Sequence, residues 1–102
     1  MAFKKQYLKS KEICKVTFKL SSAEAKDAEK VCLVGEFNEW DKTSLPMKKL
    51  KNGGFTATVN LAKDAKYQFR YLLDGESWEN DHDADEYLQS PVSLEENSVV
   101  IV

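Results

Sequence analysis

Apolar and polar positions alternate along much of the chain. Cys14, Val16, Phe18 and Leu20 alternate with Lys15, Thr17 and Lys19, the period-two pattern of a strand with one buried face. The run from Val31 to Val34 is continuously apolar and stops at Gly35, which predicts a central strand covered on both faces. Pro46 has no N–H to give to a ladder, so Leu45 to Leu50 is limited to an edge position or a short strand. Asn52-Gly53-Gly54 is a hairpin signal, followed by Phe55, Ala57, Val59 and Leu61 in alternation with Thr56, Thr58 and Asn60. In the next strand Tyr67, Phe69, Tyr71 and Leu73 face one way and Gln68, Arg70 and Leu72 the other, before a turn at Asp74-Gly75. An acidic segment with Trp78 near its start leads to an apolar closing strand, Val99 to Val102. Between the first two strands, Ser21 to Lys30 is polar and Ala-rich. Ser21 and Glu24 are spaced like a capping box, but no apolar stripe is available to dock a helix, so a loop with one helical turn is expected. About seven short strands without a helix of ordinary length make an all-β, immunoglobulin-like β-sandwich the expected fold.

A chain of 102 residues, 42% hydrophobic and 31% charged, has the size and balance of one globular domain. Residues 12–102 are read as that domain and residues 1–11 as a flexible basic tail carrying Lys4, Lys5, Lys9 and Lys11. The net charge of −2 argues against a nucleic-acid partner, which requires a positive field. No apolar run fits a signal peptide or a membrane span, so a cytoplasmic monomer without a membrane partner is expected, with edge-strand pairing as the route to a dimer. In a reducing compartment Cys14 and Cys32 are expected to be buried free thiols.

Among residues that carry chemistry, Trp40 sits among polar neighbours and Trp78 follows a turn, positions at which an indole can stay partly exposed. The apolar C–H face of a pyranose covers an indole while nearby polar groups take its hydroxyls. Arg70, facing away from Tyr67 and Tyr71, is a suitable donor beside such a platform. Each tryptophan has a plainer alternative as a core residue, and the arginine as part of a solvated face. Asp81, Asp83 and Asp85 begin like a calcium loop, but Glu86 stands where glycine is needed and Val92 where the bidentate glutamate belongs, so an acidic solvated loop is expected and no metal. His82 is the single histidine, and no nucleophile–base constellation is recognisable. A non-catalytic protein without a cofactor is the expectation.

Two separated segments, Val31-Cys32-Leu33-Val34-Gly35-Glu36-Phe37-Asn38-Glu39-Trp40 and Tyr67-Gln68-Phe69-Arg70-Tyr71-Leu72-Leu73-Asp74-Gly75 with Trp78, resemble carbohydrate-binding module family 48. That family includes the N-terminal modules of branching enzymes and isoamylases and the glycogen-binding domain of the AMP-activated protein kinase β subunit. The resemblance implies an early-set immunoglobulin-like sandwich and, by likeness to the kinase-associated members, binding of an α-1,4-glucan oligosaccharide or polysaccharide between Trp40 and Trp78 with help from Arg70. It also implies a glycan-contacting loop near Val92, Leu94, Glu96 and Asn97, where hydroxyl and amide groups of the kinase-associated members are partly replaced. Glu76 and Ser77 separate Gly75 from Trp78, one residue more than in those members, which predicts a different aim for the second indole. The enzyme-attached members imply an alternative function, a regulatory or interaction module that packs against a glucan-metabolising enzyme without binding sugar.

Overall fold

Two antiparallel sheets stack in the computed structural model, which describes residues 3–9, 11–26, 28–81, 84–89 and 96–102. In chain order the strands are β1 (Phe3–Tyr7), β2 (Ile13–Leu20), β3 (Val31–Gly35), β4 (Lys48–Lys49), β5 (Phe55–Ala62), β6 (Lys66–Leu73), β7 (Ser77–Glu79), β8 (Glu86–Gln89) and β9 (Glu96–Ile101). The first sheet runs β1-β2-β5-β4 and the second β3-β6-β9-β8, with β7 also paired to β6. The protein is an all-β, immunoglobulin-like sandwich. The strand count exceeds seven because β1, β7 and β8 lack the alternating apolar signature and owe their conformation to ladder partners.

The alternating residues of β2 point inward as a set: Cys14, Val16, Phe18 and Leu20 are all buried. Opposite them the second sheet contributes Val31, Leu33, Phe69, Tyr71, Leu73 and Val100 to the same core. Phe18 and Phe69 meet edge to face across it, with ring centroids 5.0 Å apart.

Four expectations need correction. Phe3–Tyr7, assigned by composition to a flexible tail, forms β1 along the whole of residues 14–18, because β2 would otherwise present unpaired backbone groups at the sheet edge. β3 is not central in its sheet. Its second edge is covered by the segment before β4, through the Leu33 amide donating to the Leu45 carbonyl (2.9 Å) and the Met47 amide to the Val31 carbonyl (2.8 Å). A continuous apolar run reports two buried faces, and Val34 is indeed buried on the face away from the core, but it does not report sheet position. Ser21 and Glu24 do form the reciprocal capping box, at 3.0 and 3.1 Å, yet the turn they start docks through Ala25 and Ala28, both buried in the core. Cys14 is buried, whereas Cys32 is only half-buried; both are free thiols.

The hairpin signals hold. The Leu50 amide donates to the Gly54 carbonyl at 2.7 Å around Gly53, whose φ is +88°. Between β6 and β7, Asp74 and Gly75 both have positive φ, and the Glu76 amide donates to the Leu73 carbonyl at 3.0 Å.

Candidate functional site

Gly35, Phe37, Asn38 and Trp40 each do a different job in the loop that leaves β3. Phe37, in a 3-10 turn over Glu36–Asn38, packs against the core with its ring 5.7 Å from Phe18. Asn38 ties the loop together: its Oδ1 accepts from the Gly35 amide (2.9 Å), and its Nδ2 donates to the Leu33 carbonyl (3.1 Å), the Asp41 carbonyl (3.2 Å) and the Ser44 hydroxyl (3.0 Å). Glu39 and Trp40 both have positive φ, at 57° and 59°, a conformation unfavourable for residues with a Cβ and held here by the Trp40 amide donating to the Gly35 carbonyl at 2.8 Å. With its backbone fixed so, Trp40 leaves 38% of its surface exposed. Just beyond it, the Asp41 carboxylate accepts from the Thr43 amide (2.8 Å) and hydroxyl (3.0 Å), and these bonds hold its pKa below the usual carboxylate value.

Trp78 sits on β7 directly opposite Leu72 of β6. Asp74, Gly75 and Glu76 form the turn between the paired Leu73 and Ser77. Trp78 therefore shares a face with Leu72 and Arg70, the outer face of the second sheet, and is 39% exposed. Val34 stands opposite Arg70 in the ladder, and Val34 and Leu72 are both buried, so this face has an apolar bed under its polar residues.

An open pocket of about 320 Å³ lies here, lined by Arg70, Trp78, Glu79, Asn80 and Glu96. Arg70 Nη2 donates to the Glu96 carbonyl at 2.9 Å, and Asn80 Nδ2 donates to the same oxygen at 2.8 Å. Glu79 is ion-paired with Lys26 at 2.8 Å. Behind the pocket the Asn80 Oδ1 accepts from both the amide (3.0 Å) and hydroxyl (2.9 Å) of Ser98, whose oxygen in turn accepts from the Asp81 amide (2.8 Å). The Tyr71 hydroxyl donates to the Asp81 carboxylate at 2.7 Å. Burial, reinforced by that carboxylate, pushes the Tyr71 phenol well above its usual pKa. A continuous hydrogen-bonded path thus runs from the core to the guanidinium.

Of the residues singled out from sequence, Arg70, Trp78 and Glu96 come together in this pocket. Trp40 is not among the residues that line it; from the same loop Lys42, two residues on, places its ammonium over the Trp78 ring, 5.9 Å from the centroid. Asn97 is buried and its amide is used by Gln68, to which it donates at 3.0 Å. Val92, Leu94, His82 and Asp83 lie outside the described residues. Contrary to the expectation of an acidic solvated loop, the segment is not solvated throughout. Asp81 is buried against Tyr71, and Asp85 Oδ2 accepts from Lys5 Nζ (2.6 Å) and the Ile101 amide (2.8 Å), so these two carboxylates serve separate partners. Sequence reasoning missed Lys42, Glu79 and Asn80. Asn80 stood two residues from Trp78, but nothing in its context marked its cross-sheet bond to Glu96.

Among the described residues no helix is long and apolar enough to cross a membrane. A family model described as carbohydrate-binding module 48 (isoamylase N-terminal domain) matches residues 8–91 of the chain. No curated protein matches it.

Proposed function

The chain belongs to the carbohydrate-binding module 48 family, and on that premise we propose that it is a non-catalytic module for an α-1,4-glucan, bound by Trp40 and Trp78 with Arg70 as hydroxyl donor. The observation that carries this reading is the meeting of a partly exposed indole and a guanidinium in one open pocket, while the second indole is also partly exposed. Both tryptophans are partly exposed, where two buried indoles would have favoured the alternative, an interaction module that has kept only the scaffold. The Glu96 carbonyl holds one end of the guanidinium, which fixes the orientation in which Arg70 faces the pocket.

Affinity is expected to be modest, because an aromatic contact contributes only about 1 kcal/mol beyond the area it buries. Electrophoresis through a glycogen-containing gel tests the reading. Wild type should be retarded, and Trp40→Ala and Trp78→Ala should each lose that retardation while keeping a cooperative thermal transition. Wild-type mobility unchanged by glycogen and by amylose overturns it.

A further inference from the structure

We infer that Lys42 is a third glycan-contacting residue, a mobile donor that follows a sugar laid on Trp78; this rests on the α-glucan reading of the site. Its ammonium lies over the indole, at the outer limit of a cation–π contact, in the space that a stacked pyranose would enter. No carboxylate among the described residues pairs with it. Lys42 is exposed, so its head group can swing to the rim of the ring.

Its backbone is less free. Asp41 closes a turn onto Thr43 around Lys42, and Asn38 bonds to the Asp41 carbonyl and the Ser44 hydroxyl on either side, so the stem always starts from the same place beside Trp78. A sugar on the ring would displace the ammonium from the indole and supply hydroxyl and ring oxygens in its stead. A charged hydrogen bond to those oxygens outweighs an exposed cation–π contact. Arg70 serves the pocket from the sheet and is tethered to the Glu96 carbonyl. Lys42 serves it from the loop, and thereby couples the Trp40 loop to the Trp78 pocket.

The test compares glycogen-gel retardation and maltoheptaose titration for wild type, Lys42→Ala and Lys42→Arg. Lys42→Ala should weaken binding about five-fold, the value of one net hydrogen bond of about 1 kcal/mol, and Lys42→Arg should restore most of it. A ligand-free arm uses Trp40→Phe to leave Trp78 as the single indole: there Lys42→Ala should increase quenching by acrylamide, a neutral quencher. Unchanged or tighter binding by Lys42→Ala, with wild type still retarded, sinks this inference and leaves the α-glucan reading standing. Unchanged quenching also sinks it. Wild type that ignores every glucan removes both.

Discussion

Asn38 and Tyr71 show how single side chains set the site from opposite sides. The Asn38 amide satisfies the Gly35 N–H and shares its own protons among three acceptors, all within the loop that turns Trp40 outward. Asn38→Ala removes all of these bonds at once and is expected to cost about 1–3 kcal/mol of stability. It should also weaken glucan retention, since the Trp40–Gly35 backbone bond must then hold the positive φ of Glu39 and Trp40 without the Asn38 side chain; urea denaturation and the glycogen gel measure the two effects. Tyr71 gives a pH signature. Its folded pKa is raised, so the folded state keeps a proton that the unfolded phenol gives up above about pH 10. The stability this provides is fully present below that pH and is lost as pH rises toward the folded value. Urea midpoints followed from neutral to alkaline pH should fall more steeply for wild type than for Tyr71→Phe, and parallel slopes would refute the assignment.

At the scale of elements, β3 and β6 must approach closely, and Gly35 is where they do. A Cβ there would meet the Gln68 carbonyl oxygen and Phe69 Cβ, each at 2.7 Å, neither of which is the movable end of a side chain. Gly75 is glycine for another reason: its φ is +70°, and nothing lies within 4 Å of an added Cβ. Gly35→Ala is expected to destabilise by about 2–3 kcal/mol through overpacking and Gly75→Ala by about 1 kcal/mol through backbone strain alone. Thermal unfolding of the two variants orders them. The β6–β7 turn also reaches outward, for the Asp74 carboxylate accepts from the Glu29 and Lys30 amides, both at 2.9 Å. The strand that carries Trp78 is thereby anchored to the segment entering β3.

Across the whole molecule the two sheets divide the work. The outer face of the first carries Lys15, Thr17 and Lys19 beside Thr56, Thr58 and Asn60, a polar ladder open to solvent. The outer face of the second buries Val34, Leu72 and Val99 and bears the pocket. Cys14 points into the core from the first sheet, while Cys32, alternating with core residues of β3, points away from it on the second. The two sulfurs occupy different layers, so reductant should leave the denaturation midpoint unchanged; a shift on adding dithiothreitol would contradict this arrangement.

Alternation along β2, β5 and β6 sufficed to read which faces are buried, because a strand's period of two is a local property of the backbone. Asn-Gly-Gly and Asp-Gly gave the turns for the same reason, since a requirement for positive φ is met or refused residue by residue. The phase of β6 already placed Arg70 away from the core, and polar surroundings already suggested surface positions for Trp40 and Trp78. Pairing partners were another matter. That residues 3–7 form a strand, that β3 lies at the end of its sheet, and that Glu96, Asn80 and Lys42 gather around Trp78 all depend on contacts between segments distant in the chain. Such contacts are chosen by the packing of the whole sandwich, in which each backbone edge and each buried polar atom must find a partner. No local pattern encodes that choice.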